Sequence, residues 1–322
     1  MSKRTPRPVA APRAHHYVPQ CWLAGFTQSG RKTGRLWVTD LANQKQWASS
    51  PPNTGHERDF YRVSMEDPDA VEKIYGKVEN DIAPILRQLD EERRSPTNAE
   101  LDALLYFMAI QWGRVPAFRP TILRIADGIH RSEMAKALKS PEAWAEMLRN
   151  AGISPEEPGT DYDRMREFLS SGDYSLSAEP DWFAMRAFQA VETIVPALRK
   201  RAWFAAISKE GHFIASDAPV ALDGPLGQMV GFKNADIVTF PVSRHVLLCG
   251  TRRGGVRPPA TRKFIASMNT FMMLTAQYVY SHVQSFCWLD ERGFYRTDWQ
   301  GFSKDKFRAF LEGRAVQERG AK

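Results

Sequence analysis

The chain has 322 residues, 43% of them hydrophobic and 25% charged, the balance of an ordinary globular protein, which excludes disorder, collagen-like repeats and a disulfide scaffold. Three widely spaced cysteines, Cys21, Cys249 and Cys287, form no CxxC pair, so reduced thiols in the cytoplasm are expected rather than a thiolate zinc site. The net charge of +7 is concentrated at one end. Lys3, Arg4, Arg7, Arg13, Arg31, Lys32 and Arg35 all precede Asp40, the first acidic residue, and the other 37 basic residues balance the 37 acidic ones.

Residues 1–14, basic and interrupted by Pro6, Pro8 and Pro12, read as a disordered arm with no apolar signal region behind it. Leu36 to Thr39 and Gln46 to Ala48 flank a turn at Asn43-Gln44-Lys45, so a short hairpin is expected, then a loop from Ser49 to Arg58. Between Pro68 and Glu92, the recurrence of Val71, Ile74, Val78, Ile82, Leu86 and Leu89 predicts an amphipathic helix that Pro84 kinks. Thr97 with Glu100 is a capping-box pattern opening a second helix with Leu101, Leu104, Leu105, Met108 and Trp112 on its face. Pro116 and Pro120 interrupt before a helical run through Leu138, Pro141 starts a shorter helix ending at Gly152, Thr160 with Asp163 opens another, and Glu179 to Lys200 forms the last of this body.

After Arg201 the period changes to two, with short apolar runs at Trp203 to Ile207, His212 to Ala215, Ala218 to Leu222, Ile237 to Val242 and Val246 to Cys249, a small antiparallel sheet. Phe264 to His282 is free of charge but too polar for a membrane span, so a buried helix is expected. A hairpin around Asp290 to Gly293 and a polar helix from Ser303 close the chain. The reading is α+β: a helical body from 68 to 200 with a small mixed or antiparallel sheet from the N-terminal hairpin and the C-terminal third packed on it, as a single domain over 15–302 between an arm and a polar tail at 303–322.

The basic arm attracts polyanions by releasing their counterions. Ile237 to Leu289, with no acidic residue but with Arg244, Arg252, Arg253, Arg257, Arg262 and Lys263, extends that positive face if folding joins the two. A solvated arm and an arginine-rich loop are the plainer alternative. In the segment from His15 to Leu23, Pro19 favours extended geometry, and extension sends His15 and His16 to opposite sides. One is then a ligand or base while the other serves the core. Glu72 and Glu79 lie within about 20° on a helical wheel, at the rim of the apolar stripe. Such a pair holds a divalent cation or supplies a base with a raised pKa, or it is solvated beside Lys73 and Lys77.

Gln111 and Arg114, with Arg119 beyond Pro116, suit a phosphate or carboxylate at a helix end, where cations also serve the helix dipole. Ser216 and Asp217 end an apolar strand before Pro219, and Asn269 falls inside an apolar helical stripe where its amide needs partners. The order of HHYVPQ at 15–20, Asn53-x-Gly55 leading to Asp59-Phe-Tyr61, the glutamate helix, Gln111-x-x-Arg114-x-Pro116, Phe-Ile-x-Ser-Asp-x-Pro at 213–219, Phe240-Pro-Val-Ser243 and the Asn269 helix resembles the uncharacterised bacterial family called domain of unknown function 4238, over residues 15–285. Ala218 replaces the asparagine common after the aspartate, and Cys21-Trp22 an aromatic pair. The resemblance implies one domain and a site built from His15, His16, Gln20, Glu72, Gln111, Arg114, Ser216 and Asp217.

The function expected is hydrolysis of a phosphodiester by a nuclease-type effector. His15 or His16 acts with Glu72 and Asp217; Gln20, Gln111, Arg114, Arg119, Ser216 and Asn269 bind substrate. A divalent Mg²⁺ or Mn²⁺ ion on Glu72, Glu79 and Asp217 is one form of that chemistry. A non-enzymatic module binding a nucleotide, peptide or partner protein through the same polar network is the alternative, and hydrolysis of a small metabolite a third. The partner expected is nucleic acid or another polyanion, with no membrane.

Overall fold

The structure, a computed structural model, describes residues 14–64, 66–172, 174–224, 229–254 and 258–310. In chain order the elements are β1 (Ala14–His16), α1 (Gln20–Leu23), β2 (Leu36–Asp40), β3 (Lys45–Ser49), β4 (His56–Arg58), α2 (Ala70–Glu92), α3 (Asn98–Arg114), α4 (Phe118–Ala137), α5 (Pro141–Asn150), α6 (Tyr162–Ser171) and α7 (Pro180–Arg199). Then follow β5 (Ala202–Ile207), β6 (Ala215–Ser216), β7 (Ala221–Asp223), β8 (Ile237–Pro241), β9 (Val246–Thr251), α8 (Arg262–Thr275), β10 (Tyr278–Ser281), β11 (Trp288–Leu289) and β12 (Tyr295–Arg296), and residues 304–310 are helical. The class is α+β. The proposed basic arm lies, but for Ala14, outside the described residues, as does Arg257.

Two compact units emerge: Met1–Pro116 with Ala184–Lys322, and Ala117–Phe183. The smaller holds α4, α5 and α6 around Trp144 and Leu148, where Trp144 donates to Thr160 O at 2.6 Å and Tyr162 to Leu138 O at 2.9 Å. Two sequence expectations shift here. Pro120 sits inside the first turn of α4 instead of breaking the chain, since a proline there removes an N–H that has no helical partner anyway. Asp161, not Thr160, caps α6, accepting from Arg164 N at 2.8 Å.

In the larger unit the expected hairpin is β2 paired with β3, Leu36↔Ser49 to Asp40↔Lys45, turned by Gln44 at φ 50°. β10 pairs with the other edge of β2 and β6 with β10, giving the order β3-β2-β10-β6; a second sheet runs β5-β9-β8-β7, and β1 pairs with β4. Every pairing is antiparallel. Phe264 to His282 is not one helix: α8 ends at Thr275, Ala276 turns extended at ψ 152°, and Tyr278–Ser281 is a strand. The tyrosines and valine of that run favour a pleated surface, and two waiting strand partners decide the outcome. The run from His212 to Ala215 pairs only over its last residue, because Asn269 occupies the backbone before it: Asn269 Oδ1 accepts from Ile214 N at 3.2 Å and Nδ2 donates to His212 O at 3.0 Å.

The Thr97 capping box forms in both directions, Glu100 N to Thr97 Oγ1 at 3.3 Å and Thr97 N to Glu100 Oε2 at 2.7 Å. The core centres on Trp22, fully buried, whose Nε1 donates to Pro241 O at 2.7 Å and whose ring stacks on Phe240 at 5.6 Å. Thus the segment after HHYVPQ is pinned to β8. On α2 the buried stripe passes through Tyr75, while Ile74 is 46% exposed. Among the described residues no helix is long and apolar enough to cross a membrane.

Candidate functional site

Arg114, the last residue of α3, is the hub of the larger unit's polar groups. It is 1% exposed in a wall of aromatic rings, its guanidinium 4.7 Å above Tyr75 and 5.7 Å from Tyr61. A buried guanidinium needs acceptors for its donors. Nη2 pairs with Glu79 Oε1 at 2.7 Å and also reaches His16 O; Nε donates to His16 O at 3.0 Å and to the Tyr61 hydroxyl at 3.3 Å. Tyr61 in turn donates to Arg114 O at 2.7 Å. Burial opposes the Arg114 charge, yet the Tyr61 and Glu79 contacts outweigh it and its pKa rises. Burial also raises Tyr75 to about 12, so its phenol stays neutral. The arginine expected to clamp substrate is therefore occupied by the protein itself.

Backbone geometry places these groups. Gly55 adopts φ +67°, and a Cβ there would lie 2.6 Å from Val18 Cβ, so only glycine lets the loop close on the HHYVPQ segment, where Val18 N donates to Gly55 O at 3.0 Å. Asp59 then turns at φ 54° and delivers Tyr61 to Arg114. The extended β1 sends its two histidines apart, as the alternation requires. His15, 2% exposed, accepts from Tyr61 N at 2.9 Å through Nδ1 and lies parallel to the Tyr61 ring at 5.8 Å. Burial lowers its pKa against the opposing pull of Asp69 and Asp59. His15 is thus a core group whose ring holds a backbone amide, the core-facing member of the expected pair.

His16 faces the other way. Its Nε2–H donates to Pro52 O at 3.1 Å, Gln20 Nε2 approaches Nδ1 at 3.4 Å, and the His56 ring lies 5.1 Å away. Burial lowers its pKa first, and the hydrogen bond to Pro52 O, then the charge of Glu79, partly restore it. Of the pair expected on α2, Glu79 neutralises Arg114, and Glu72 has no such bond. Its Oε2 is buried without a hydrogen-bond partner, and burial raises its pKa, assisted by the like charges of Glu79 and Asp69 and opposed by Arg114. Gly76, within 40° of Glu72 on the wheel, faces open space, since a Cβ there would meet nothing within 4 Å. One turn before Arg114, Gln111 is fully buried and both its amide atoms lack partners, an uncompensated desolvation of about 1 to 3 kcal/mol for each group.

A cavity of about 270 Å³ lies against the later turns of α2, lined by Ala83, Arg87 and Asp90 and by Cys21, Arg31 and Lys32. Cys21 senses the charges of Glu79 and Arg114, and burial pushes its thiol to about 12. Asp90 Oδ1, in the same wall, is buried without a partner. Arg244 N donates to Gly25 O at 3.1 Å and the Arg244 guanidinium to Thr27 O, so the fold does bring the Arg31-Lys32 segment beside the second basic stretch.

Ser216 and Asp217 form a separate group. Ser216 Oγ donates to Ala218 O at 2.9 Å and accepts from Ala218 N at 3.2 Å, a closed local turn. Asp217 Oδ1 accepts from Gln277 N at 2.9 Å and Tyr278 N at 3.1 Å; burial pushes its pKa to about 6 despite those bonds. Its charged and polar neighbours are Tyr17, Tyr278, Tyr280 and Lys304. Among the described residues no hydrogen bond or ion pair joins Asp217 to either glutamate or to the HHYVPQ histidines. Nor do any three His, Cys, Asp or Glu side chains gather to hold a metal there. Of the three carboxylates expected to hold Mg²⁺ or Mn²⁺, Glu72 has a buried oxygen without a hydrogen-bond partner, Glu79 pairs with Arg114 and Asp217 accepts from strand amides.

Asn269, 1% exposed, has every amide group employed, with Nδ2 also donating to Cys287 O at 2.9 Å, and it braces the backbone leading into β6. Arg119 belongs to the smaller unit, its guanidinium 5.4 Å from the Phe183 ring centroid. Sequence reasoning missed Tyr75 and His56. The spacing of Tyr75, three after Glu72 and four before Glu79, was the available signal for the first.

No curated protein and no solved structure matches the chain. A family model described as "Protein of unknown function (DUF4238)" matches residues 14–286, the span that carries β1, the Arg114 hub, Asp217 and Asn269. The chain therefore belongs to the DUF4238 family.

Proposed function

We propose that the chain is a phosphodiester hydrolase of the cell interior acting on nucleic acid, with Glu72 as the proton-transfer group. The observation that carries the reading is the buried, unpartnered Oε2 of Glu72, held at raised pKa beside the open space over Gly76. A carboxyl so poised is suited to take a proton from water near neutral pH. In this reading the Glu72 carboxylate deprotonates the water that attacks phosphorus, the leaving oxygen departs with the electron pair of its P–O bond, and the proton later returns to that oxygen. Arg114, in ion pair with Glu79, keeps the ionised form of Glu72 accessible. The Gln111 amide, unpartnered on both atoms, supplies one donor and one acceptor to the reacting group or its water. Arg31, Lys32 and Arg87, which line the cavity against the later turns of α2, support an anionic strand.

The test is cleavage of labelled RNA and DNA by purified protein, with Mg²⁺ and with EDTA. Wild-type activity is expected to persist in EDTA and to rise with pH through the elevated Glu72 pKa. Glu72→Gln, isosteric and free of the charge that burial opposes, is expected to fold and to lose about 10²- to 10⁴-fold in rate. Equal cleavage by Glu72→Gln, or no cleavage by wild type of either nucleic acid, rejects the assignment. The alternative of a binding module is favoured by the saturation of Ser216, Asp217 and Asn269 by the protein's own backbone; oligonucleotide binding that Glu72→Gln leaves intact, without turnover in either protein, would establish it.

A further inference from the structure

At the C-terminal end of α7 lies a cavity of about 540 Å³ that shares no lining residue with the one beside Cys21. Its cations are Lys200, Arg201, Lys233 and Arg252, against the single carboxylate Glu192. Lys200 and Lys233 are exposed. Arg201 is different, 8% exposed, and none of its acceptors is charged: Nη2 donates to Phe232 O at 2.7 Å and Ala235 O at 2.8 Å, and Nη1 reaches Gly250 O at 3.4 Å. Its Nε–H is buried with no partner. The nearest carboxylate acting on it, Asp236, lies 3.6 Å from Arg252 instead. Serving the helix dipole explains Lys200, but the Arg201 side chain turns away from the last carbonyls of α7 toward the 232–235 loop and β9. A buried guanidinium held by neutral carbonyls, with one donor unused at a cation-rimmed cavity, is an incomplete ion pair.

We propose that this cavity is a phosphate-ester binding subsite, with Arg201 as its buried donor and Lys200, Lys233 and Arg252 as its cationic rim. The three carbonyls fix the guanidinium plane and leave Nε–H to meet a phosphate oxygen, the planar-donor geometry to which arginine is suited. The volume falls within the range of sites that hold nucleotide-sized ligands. The inference goes beyond the Glu72 reading and does not depend on it.

The experiment titrates pyrophosphate and a 5′-phosphorylated oligonucleotide into the full chain, reading heat of binding and thermal midpoint, for wild type and for Lys200→Glu/Lys233→Glu. Both substituted positions are exposed, so that variant is expected to fold. The expected result is a saturable rise in midpoint for wild type and affinity weaker by about tenfold or more in the variant. Arg201→Lys is expected to weaken binding as well, by keeping the charge while losing the Nε–H donor. Saturation by pyrophosphate alone supports a small free phosphate compound as the ligand, and preference for the oligonucleotide supports the nucleic-acid terminus. Binding by neither probe, or equal binding by wild type and Lys200→Glu/Lys233→Glu, overturns the proposal. The cavity shares no residue with the Glu72 group, so a pyrophosphate titration that fails is separable from failure of the hydrolase reading, which cleavage reports.

Discussion

Arg114 and Asp217 show opposite solutions to burying a charge. Arg114 is neutralised by Glu79 and forked onto His16 O, so Glu79→Gln leaves a buried cation with one neutral acceptor in place of its counter-ion. That substitution is expected to cost about 3 to 5 kcal/mol, read as a lower denaturant midpoint. Asp217 has two backbone donors but no ion pair, and burial raises its pKa to about 6. Asp217→Asn keeps an oxygen for both N–H groups and removes the opposed charge. Stability at pH 7 is therefore expected to rise by up to about 3 kcal/mol, and a fall would mean the carboxylate is needed ionised. Both residues stand out in the sequence as polar groups at element ends, and the choice between ligand contact and self-satisfaction depends on an acceptor nearly a hundred positions away in one case and on donors about sixty positions away in the other.

Among the elements, α3 and the β2–β3 hairpin are written in neighbouring residues, and the structure follows that spelling at the capping box and at Gln44. Thr97→Ala removes the acceptor for Glu100 N and is expected to cost about 1 kcal/mol, measured by thermal denaturation. Gly55 is the stricter position. A Cβ at φ +67° that would sit 2.6 Å from Val18 strains the loop and displaces β1, so Gly55→Ala is expected to destabilise by about 1 to 3 kcal/mol and to disturb the packing of Tyr61 against Arg114, visible in near-ultraviolet circular dichroism. The charge-free run after Phe264 was illegible to a periodicity argument, because its apolar positions suit a helix throughout; only the free edges of β2 and β6 make its last residues a strand.

At the scale of the molecule, burial lowers the pKa of His15, His16, His245 and His282, the last to about 4 through desolvation first and then the charges of Arg244, His212 and His245. A histidine depressed in the fold binds its proton more readily when unfolded, so stability falls as pH drops from about 6.5 toward 4. Asp217 opposes this below about pH 6, because there the folded state holds the extra proton. The expected profile is a loss beginning just below pH 6.5, followed by a shallower slope, and Asp217→Asn is expected to steepen the second part; a stability flat between pH 7 and 5 in both proteins would contradict it. The sequence by itself determined the α+β class, the capping box that starts α3, the concentration of charge in the first 39 residues and the motifs that mark the family, since those signals lie within a turn or a pleat of one another. Tertiary structure alone decided which histidine faces the core, that Arg114 answers to Glu79, that Asp217 stands apart from both glutamates, and that Arg201 keeps an unused donor. Each of these is a question of which distant partner comes within about 3 Å, and local spacing carries no information about that.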